Sequence, residues 1–302
     1  MSLLGFSIIT PTLNRASMLT AALASVRDQH YPAYEHLVMD GGSTDATAEI
    51  CRGYEHLSFF SGADEGMYDA LNKGLRLAQG EIIGFLNSDD QYAADIFACV
   101  AEKFVDHEVH AVVGGALVFE ESKDGERQIV GRFSPLTADL LECTTIGTNY
   151  FNAWFFRRSV FQEIGEFDAR YRIAGDRDLL LRFVGSGLKY AMVDQVAYEY
   201  RDHPESFTFT VDLKNRQRAV DETIGMIDAY KRNRSLPPAM MEKLRLKHLY
   251  STREMAIRFL KRRDLGKMMK YAWIGTRVNW RWPVEFVRAA MQKAPSRPAA
   301  QE

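Results

Sequence analysis

Gly80-Glu81-Ile82-Ile83-Gly84-Phe85-Leu86-Asn87-Ser88-Asp89-Asp90 is the stretch whose reading decides the fold. Ile82 to Leu86 is an apolar run short enough for a buried strand, with β-branched and aromatic members. It stops on four polar side chains, Asn87, Ser88, Asp89 and Asp90. In an open α/β sheet, ligands bind in the crevice outside the C-terminal ends of the strands. Two adjacent carboxylates repel each other there, and a hard cation relieves the repulsion because it takes carboxylate and phosphate oxygens together. A polar turn with Asp90 capping the next helix accounts for the same residues. Both readings stand on this stretch alone.

Upstream, strand, polar loop and helix alternate three times. Phe6 to Ile9 predicts a first strand, ending in Thr10-Pro11-Thr12-Leu13-Asn14-Arg15, with Pro11 holding the loop extended and Asn14 as N-cap. Leu19, Ala22, Leu23 and Val26 recur at helical spacing and predict a helix over 15–29. His36 to Met39 predicts a second strand running into Asp40-Gly41-Gly42-Ser43-Thr44-Asp45, where Ser43 or Thr44 caps a helix to about Cys51. Leu57 to Phe60 is a third strand, followed by Asp64-Glu65-Gly66 and a helix from Met67 to Leu77. This alternation predicts a parallel sheet flanked by helices, with Thr12, Asp40, Asp64 and Asp89 on one edge.

Downstream the pattern loosens. A helix near 94–105, an apolar strand from Ala111 and a hairpin over 116–134 are expected, then a short helix over 135–142. Phe151 to Phe156 reads as an aromatic strand and Arg158 to Ile164 as a helix. Gly175-Asp176-Arg177-Asp178 opens a further helix, and Tyr190 to Val193 and Val196 to Tyr200 read as two closing strands. Beyond 210 the chain is helical: Leu213 to Lys231, Ala239 to Leu260 after Pro237-Pro238, and Leu265 to Trp273 leading towards 284–291. The tail after Pro295 reads as disordered.

With 302 residues, 46% hydrophobic and 26% charged, the chain suits one sizeable domain with an appendage. No apolar run approaches the roughly 18 residues of a membrane span, and no signal peptide precedes the first strand. Cys51, Cys99 and Cys143 are too scattered for a zinc pattern, which favours a reducing, cytoplasmic setting. The net charge of −2 hides an asymmetry: 240–302 carries fifteen Lys/Arg against five Asp/Glu, leaving about −12 on 1–239.

Taken together, these blocks resemble the inverting GT-A-fold glycosyltransferases of family 2 over about residues 5–210. The matching blocks are Ile8 to Arg15, Val38 to Asp45, Asp64 to Gly74, Leu86 to Asp90, Gly165 to Asp168 and Gly175 to Leu179. The resemblance implies a GT-A (nucleotide-diphospho-sugar transferase) fold: a mixed, mostly parallel sheet flanked by helices. A catalytic domain would cover 1–210, with a nucleotide-binding half at 1–110 and an acceptor half at 111–210. A helical, basic C-terminal appendage would occupy 211–302.

It also implies transfer of a sugar from a nucleotide-diphosphate donor, a UDP-sugar by family habit, to a saccharide or lipid-linked hydroxyl in surface polysaccharide or glycolipid synthesis. Mg²⁺ or Mn²⁺ would neutralise the leaving diphosphate, held through Asp89 and with His203 as a further candidate. Asn87 stands where an Asp often stands, and Asp90 is left for sugar hydroxyls or a supporting role. Asp40 matches the residue that accepts a hydrogen bond from the base, the reading favoured over an Asx turn to the Gly42 or Ser43 amide. Thr10, Pro11, Thr12, Asn14, Arg15, Asp64, Gly66, Lys73 and Ser88 match other donor-site positions. Asp176 matches the base for the acceptor hydroxyl, kept ionised by its helix N-terminus, with Asp178 as the alternative. Arg201 is a candidate for phosphate.

The competing readings are a sugar-phosphate nucleotidyltransferase, whose Gly-rich triphosphate loop is absent after the first strand, and a non-catalytic nucleotide-sugar-binding protein. In 240–290, Lys/Arg beside Trp and Phe suit the inner face of an anionic membrane. Packing onto the catalytic part or a homodimer partner accounts for the same composition. Nucleic acid is not an expected partner, since the first part is acidic and carries no recognised binding motif.

Overall fold

The computed structural model describes residues 3–122, 124–203, 206, 212–233 and 236–284. Lys123 of the hairpin, Pro204 and Glu205, the expected helical stretch beyond Val284 and the tail after Pro295 lie outside them. By internal contacts the chain divides into two compact units, one of residues 1–140 and 149–206, the other of 141–148 and the residues from 207 on.

The first unit begins with β1 (Phe6–Thr12), α1 (Ala16–Arg27), β2 (Tyr34–Asp40), α2 (Thr47–Arg52), β3 (Leu57–Ser61), α3 (Met67–Leu77) and β4 (Ile82–Phe85). There follow β5 (Gln91–Tyr92), α4 (Ile96–Lys103), β6 (Ala111–Glu121), β7 (Arg127–Phe133) and α5 (Leu140–Thr145), the last of which runs on into the second unit. A 3₁₀ turn at Phe151–Ala153 leads to β8 (Trp154–Arg157), α6 (Val160–Ile164), α7 (Gly175–Ser186) and β9 (Tyr190–Asp202). The sheet runs β3-β2-β1-β4-β8-β6-β9-β5, with β7 beside β6. Pairing is parallel from β3 to β4, and β8 then enters antiparallel to both β4 and β6. The result is a mixed sheet with helices on both faces, the α/β architecture of the GT-A fold.

Strand periodicity places the core on both faces. Phe6, Ile8, Ile82 and Leu86 point to one side with Val26, Phe97 and Phe155. Ile9, Ile83 and Phe85 point to the other, with Leu71, Phe156, Leu179 and Phe183. Asn72 of α3 joins this second side to the loop between α6 and α7. Its amide donates to the Phe167 carbonyl at 2.8 Å and its oxygen accepts the Phe167 N–H at 3.0 Å.

Local expectations fail where a side chain finds a tertiary partner. Asn14 does not cap α1: at φ 53° it turns the chain towards the loop after β2, giving its N–H to Ser43 Oγ and accepting from the Thr44 N–H. Asp45 caps instead, accepting from the N–H groups of Ala16 and Thr47, so neither Ser43 nor Thr44 caps α2. The two closing strands are one, β9, whose register against β6 shifts on either side of Gly115.

The second unit contains α8 (Leu213–Asn233), α9 (Pro238–Lys261) and α10 (Leu265–Val278). Pro238 starts α9, where its missing N–H costs nothing. Val220, Ile224, Met255, Phe259, Tyr271 and Trp282 form its core.

Asn72→Ala leaves two backbone groups of Phe167 unpaired in a buried setting, so it should destabilise the first unit by about 2–4 kcal/mol. Urea denaturation followed by the aromatic signal reads this out; an unchanged midpoint would remove Asn72 from that role.

Candidate active site

The motif loops meet at the C-terminal edge of the parallel strands. Thr12 and Asp40 are partners in the β1–β2 register, and Asp40 and Ser61 in the β2–β3 register. The Gly41 N–H donates to the Thr12 carbonyl at 2.9 Å, and the Gly62 N–H to the Asp40 carbonyl at 3.0 Å. A Cβ at position 41 would lie 2.6 Å from the Asp64 carboxylate, so any larger residue there displaces that side chain. Asp64 itself accepts the Gly66 N–H at 2.8 Å, and Gly66 holds φ 118° beneath the Arg172 guanidinium.

Asp40 is buried and its carboxylate is well supplied. It accepts the Ser43 N–H on both oxygens at 3.1 Å and hydroxyls from Ser43 and Ser61. The Asx turn is therefore the arrangement present, and accepting a base N–H requires one serine hydroxyl to rotate away. Thr12 is buried with its hydroxyl unpaired. Thr10 faces inward, its hydroxyl 2.9 Å from His36 Nε2, and the burial of His36 pushes that imidazole down to about 3, so it is neutral. Pro11 lies within β1 opposite Met39. The Arg15 backbone N–H donates to Thr47 Oγ1 at 3.3 Å. Lys73 donates to the Ala63 carbonyl and pairs with Asp69, both at 2.9 Å, beside the Asp64 loop.

The strand-end carboxylates part ways. Asp90 is 1% exposed and accepts from Tyr198 Oη, the Asn87 amide at 3.1 Å and the Arg201 N–H at 2.8 Å. Burial first, and the neighbouring Asp89 charge second, push Asp90 up to about 8. Burial also raises Tyr198 well above its ordinary range, so its hydroxyl stays a donor. Asn152 donates to that hydroxyl at 2.6 Å. Asp90 thus stands behind the site, and the Asn87 amide turns towards it. Ser88 is buried between them. Asp89 instead meets His203, with Nε2 3.1 Å from the carboxylate. Arg201 pairs with Glu121 at 2.7 Å and packs on Phe119, so its guanidinium is directed to the sheet rather than to phosphate.

Asp176 stands in the first turn of α7, which packs so closely on α3 that a Cβ at Gly175 would lie 2.8 Å from the Tyr68 ring. Its carboxylate accepts the Arg177 N–H, and Asn149 and Tyr68 also act on it. The Asn149 amide nitrogen is buried and has no well-aligned partner, although it lies near enough to draw the Asp176 pKa down. Contrary to the expectation from the helix N-terminus, burial wins, and Asp176 titrates above the ordinary carboxylate range. Asp178 differs: it is buried against Arg182 at 2.9 Å, and Arg182 also binds the carbonyls of Ile164, Gly165 and Glu166.

The segment 149–152 ties these groups together, since Asn149 acts on Asp176 while Asn152 reaches Asp90 through Tyr198. Sequence reasoning passed over Tyr68, Asn149, Asn152 and Tyr198. Asn152, a polar residue within an aromatic run, was the one visible signal.

Among the described residues no group of three or more His, Cys, Asp or Glu side chains is placed to hold a metal unaided. Asp89 and His203 would nevertheless suit a divalent ion that needs only one or two protein ligands.

The sequence profile described as "Glycosyl transferase family 2" matches residues 7–165. A "PGL/p-HBAD biosynthesis glycosyltransferase" of Mycobacterium bovis (strain BCG / Pasteur 1173P2) is 36% identical over 183 residues, covering 59% of this chain and 68% of the relative. An uncharacterized glycosyltransferase of Mycobacterium tuberculosis (strain ATCC 25618 / H37Rv) is 32% identical over 185 residues, 58% of this chain and 67% of its own. In fold the chain is similar to Staphylococcus aureus TarS 1-349 in complex with UDP-GlcNAc, at TM-score 0.60 and 15% identity over 93% of this chain and 92% of that one. It spans 55% of a longer TarS chain. It is likewise similar to the mannosyltransferase PcManGT of Pyrobaculum calidifontis in complex with GDP-Man and Mn²⁺, at TM-score 0.61 and 17% identity over 95% and 81%. At these identities the structural likeness shows the fold alone.

The two α7 carboxylates should respond oppositely to removal. Asp178→Ala strands the largely buried Arg182 and should lower stability by about 2–4 kcal/mol. Asp176→Asn should leave stability unchanged or raise it at neutral pH, because the fold disfavours the ionised form of a group whose pKa it raises. Denaturation midpoints of the two variants check this, and equal losses would contradict it.

Proposed function

The chain belongs to glycosyl transferase family 2, and from that membership we propose an inverting transfer from a nucleotide-diphosphate sugar to a hydroxyl acceptor, with Asp176 as base. The acceptor oxygen forms its bond to the anomeric carbon from the face opposite the diphosphate, and its proton passes to the Asp176 carboxylate. The bond from that carbon to the diphosphate breaks, and the nucleoside diphosphate leaves with the electron pair. Asp176 carries this reading: its carboxylate lies by Tyr68 and Asn149 with a raised pKa, whereas Asp178 is held by Arg182. A base pKa raised towards neutrality matches proton abstraction better than an ordinary carboxylate does.

Asp89 and His203 would hold Mg²⁺ or Mn²⁺ against the donor, and the imidazole favours Mn²⁺ as the less oxygen-demanding of the two. Such an ion supplies charge neutralisation for the departing diphosphate. Thr12, Asp40, Asp64 and Gly66 line the donor end, with the base end of a UDP-sugar placed by Asp40 after a serine rotates. The fold neighbours that hold UDP-GlcNAc and GDP-Man support a nucleotide-sugar donor. The relatives named for PGL/p-HBAD biosynthesis support a saccharide or lipid-linked acceptor in cell-surface glycan synthesis. No described helix is long and apolar enough to cross a membrane.

Asp176→Asn should lower kcat by roughly 10²–10⁴-fold while donor affinity holds. In the wild type, kcat should fall as pH drops through the raised Asp176 pKa, above the ordinary carboxylate range, because the protonated acid accepts no proton. Persistent transfer by Asp176→Asn with bound donor would refute the assignment. Chelation by EDTA should abolish donor hydrolysis, with Mn²⁺ restoring it in the wild type and about tenfold or more less well in Asp89→Ala or His203→Ala. Release of nucleoside diphosphate unaffected by chelator would refute the metal site.

A further inference from the structure

The sequence leaves the basic C-terminal region divided between a membrane surface and packing onto the catalytic part or a second copy; the geometry of α10 bears on the choice. Leu265, Met269 and Trp273 recur every four residues and so share one side of the helix. They are 59%, 61% and 61% exposed, and Trp280, in the turn that follows, is 75% exposed. Trp282, two residues on, is 1% exposed, with its indole N–H donating to Thr252 Oγ1 at 3.2 Å. The unit's own core therefore anchors one tryptophan and leaves two outside. Scattered exposed apolar residues are ordinary, but four large ones along one helix and its end mark an interaction face.

The charge along that segment is mostly positive, with Lys267 and Lys270 paired to Asp264 and Asp221. Between Leu260 and Val284 stand seven Lys/Arg, all exposed, against one acidic residue, Asp264, whose carboxylate caps α10 by accepting the Lys267 N–H. Arg277 stacks on Trp273 and Arg281 on Trp280, with centroid distances of 4.7 and 5.0 Å. Each indole thus carries a cation beside it, the pairing suited to an interface where an apolar body enters lipid and the charge meets headgroups. A second copy of the chain would bring the same positive charge to the contact, and like charges facing each other oppose association. The helix is too short and too charged to span a bilayer.

We infer that the outer face of α10, centred on Met269, Trp273 and Trp280 and flanked by Arg262, Arg263 and Arg277, docks this protein on the surface of an anionic phospholipid membrane. The helix lies along the headgroups, and attraction to them weakens as salt screens it.

Flotation of the full chain tests this with vesicles of phosphatidylcholine alone and of phosphatidylcholine with phosphatidylglycerol. The expected result is binding about tenfold or more stronger to the anionic vesicles, reduced by salt. Trp273→Ala with Trp280→Ala, and separately Arg262→Gln with Arg263→Gln, should each weaken it by about tenfold. Quenching of wild-type tryptophan by brominated lipid needs no variant, so a variant that fails to fold leaves the test decisive. Equal binding to both vesicles, no binding, or no quenching would overturn the inference. So would a dimer in light scattering that the Trp pair of substitutions dissolves while vesicles stay unbound, which would assign the face to a second copy. The readout uses neither donor nor acceptor, so its failure leaves the reading of Asp176 and Asp89 untouched.

Discussion

One buried carboxyl organises the site. Asp90 sits in the loop from β4 to β5 with almost no access to water, where an unpaired carboxylate would be costly. Tyr198, Asn87 and the Arg201 backbone N–H surround it, and Asn152 completes the group through the tyrosine hydroxyl. These partners come from the end of β4, the turn before β8, and β9. Satisfying the carboxyl therefore fixes three segments relative to one another. A partly satisfied network of this kind would be worse than an apolar core, so its members are held together.

The half-buried groups around it follow from that fixed point. Asp89 is the neighbour of the anchored residue and projects the other way, and β9, pinned through Tyr198 and Arg201, delivers His203 to it. The turn that carries Asn152 also carries Asn149 to Asp176. The Asp89–His203 pair and the surroundings of Asp176 are thus both tied to the segments that enclose Asp90. The same economy appears in α7, where Arg182 neutralises Asp178 while latching three carbonyls of the preceding loop. Neighbouring carboxylates of similar sequence context thus sit in opposite settings, one paired with an arginine and one with its pKa raised by burial.

The second unit follows a different principle. Its core is built from apolar residues of three helices, and it shelters Trp282 while Trp273 and Trp280 stand beside arginines in solvent. Amphipathic patterning of α10 is satisfied on its inner side by Tyr271 and on its outer side by nothing within the unit's own described core.

The sequence by itself determined the order of strands and helices as far as β4, the loops that carry polar residues, and the edge on which they open. Those features follow from periods of two and 3.6 and from turn chemistry, all of which act within a few residues. Tertiary structure alone decided the partners. Asp90 meets Tyr198 across 108 positions and Asp89 meets His203 across 114, and no local pattern encodes such pairings. For the same reason Asn14 left its expected cap to Asp45, and Asp40 closed an Asx turn that Ser61 reinforces. Burial, which only the packed chain sets, overrode the helix dipole at Asp176 and raised the pKa that sequence reasoning expected to stay low.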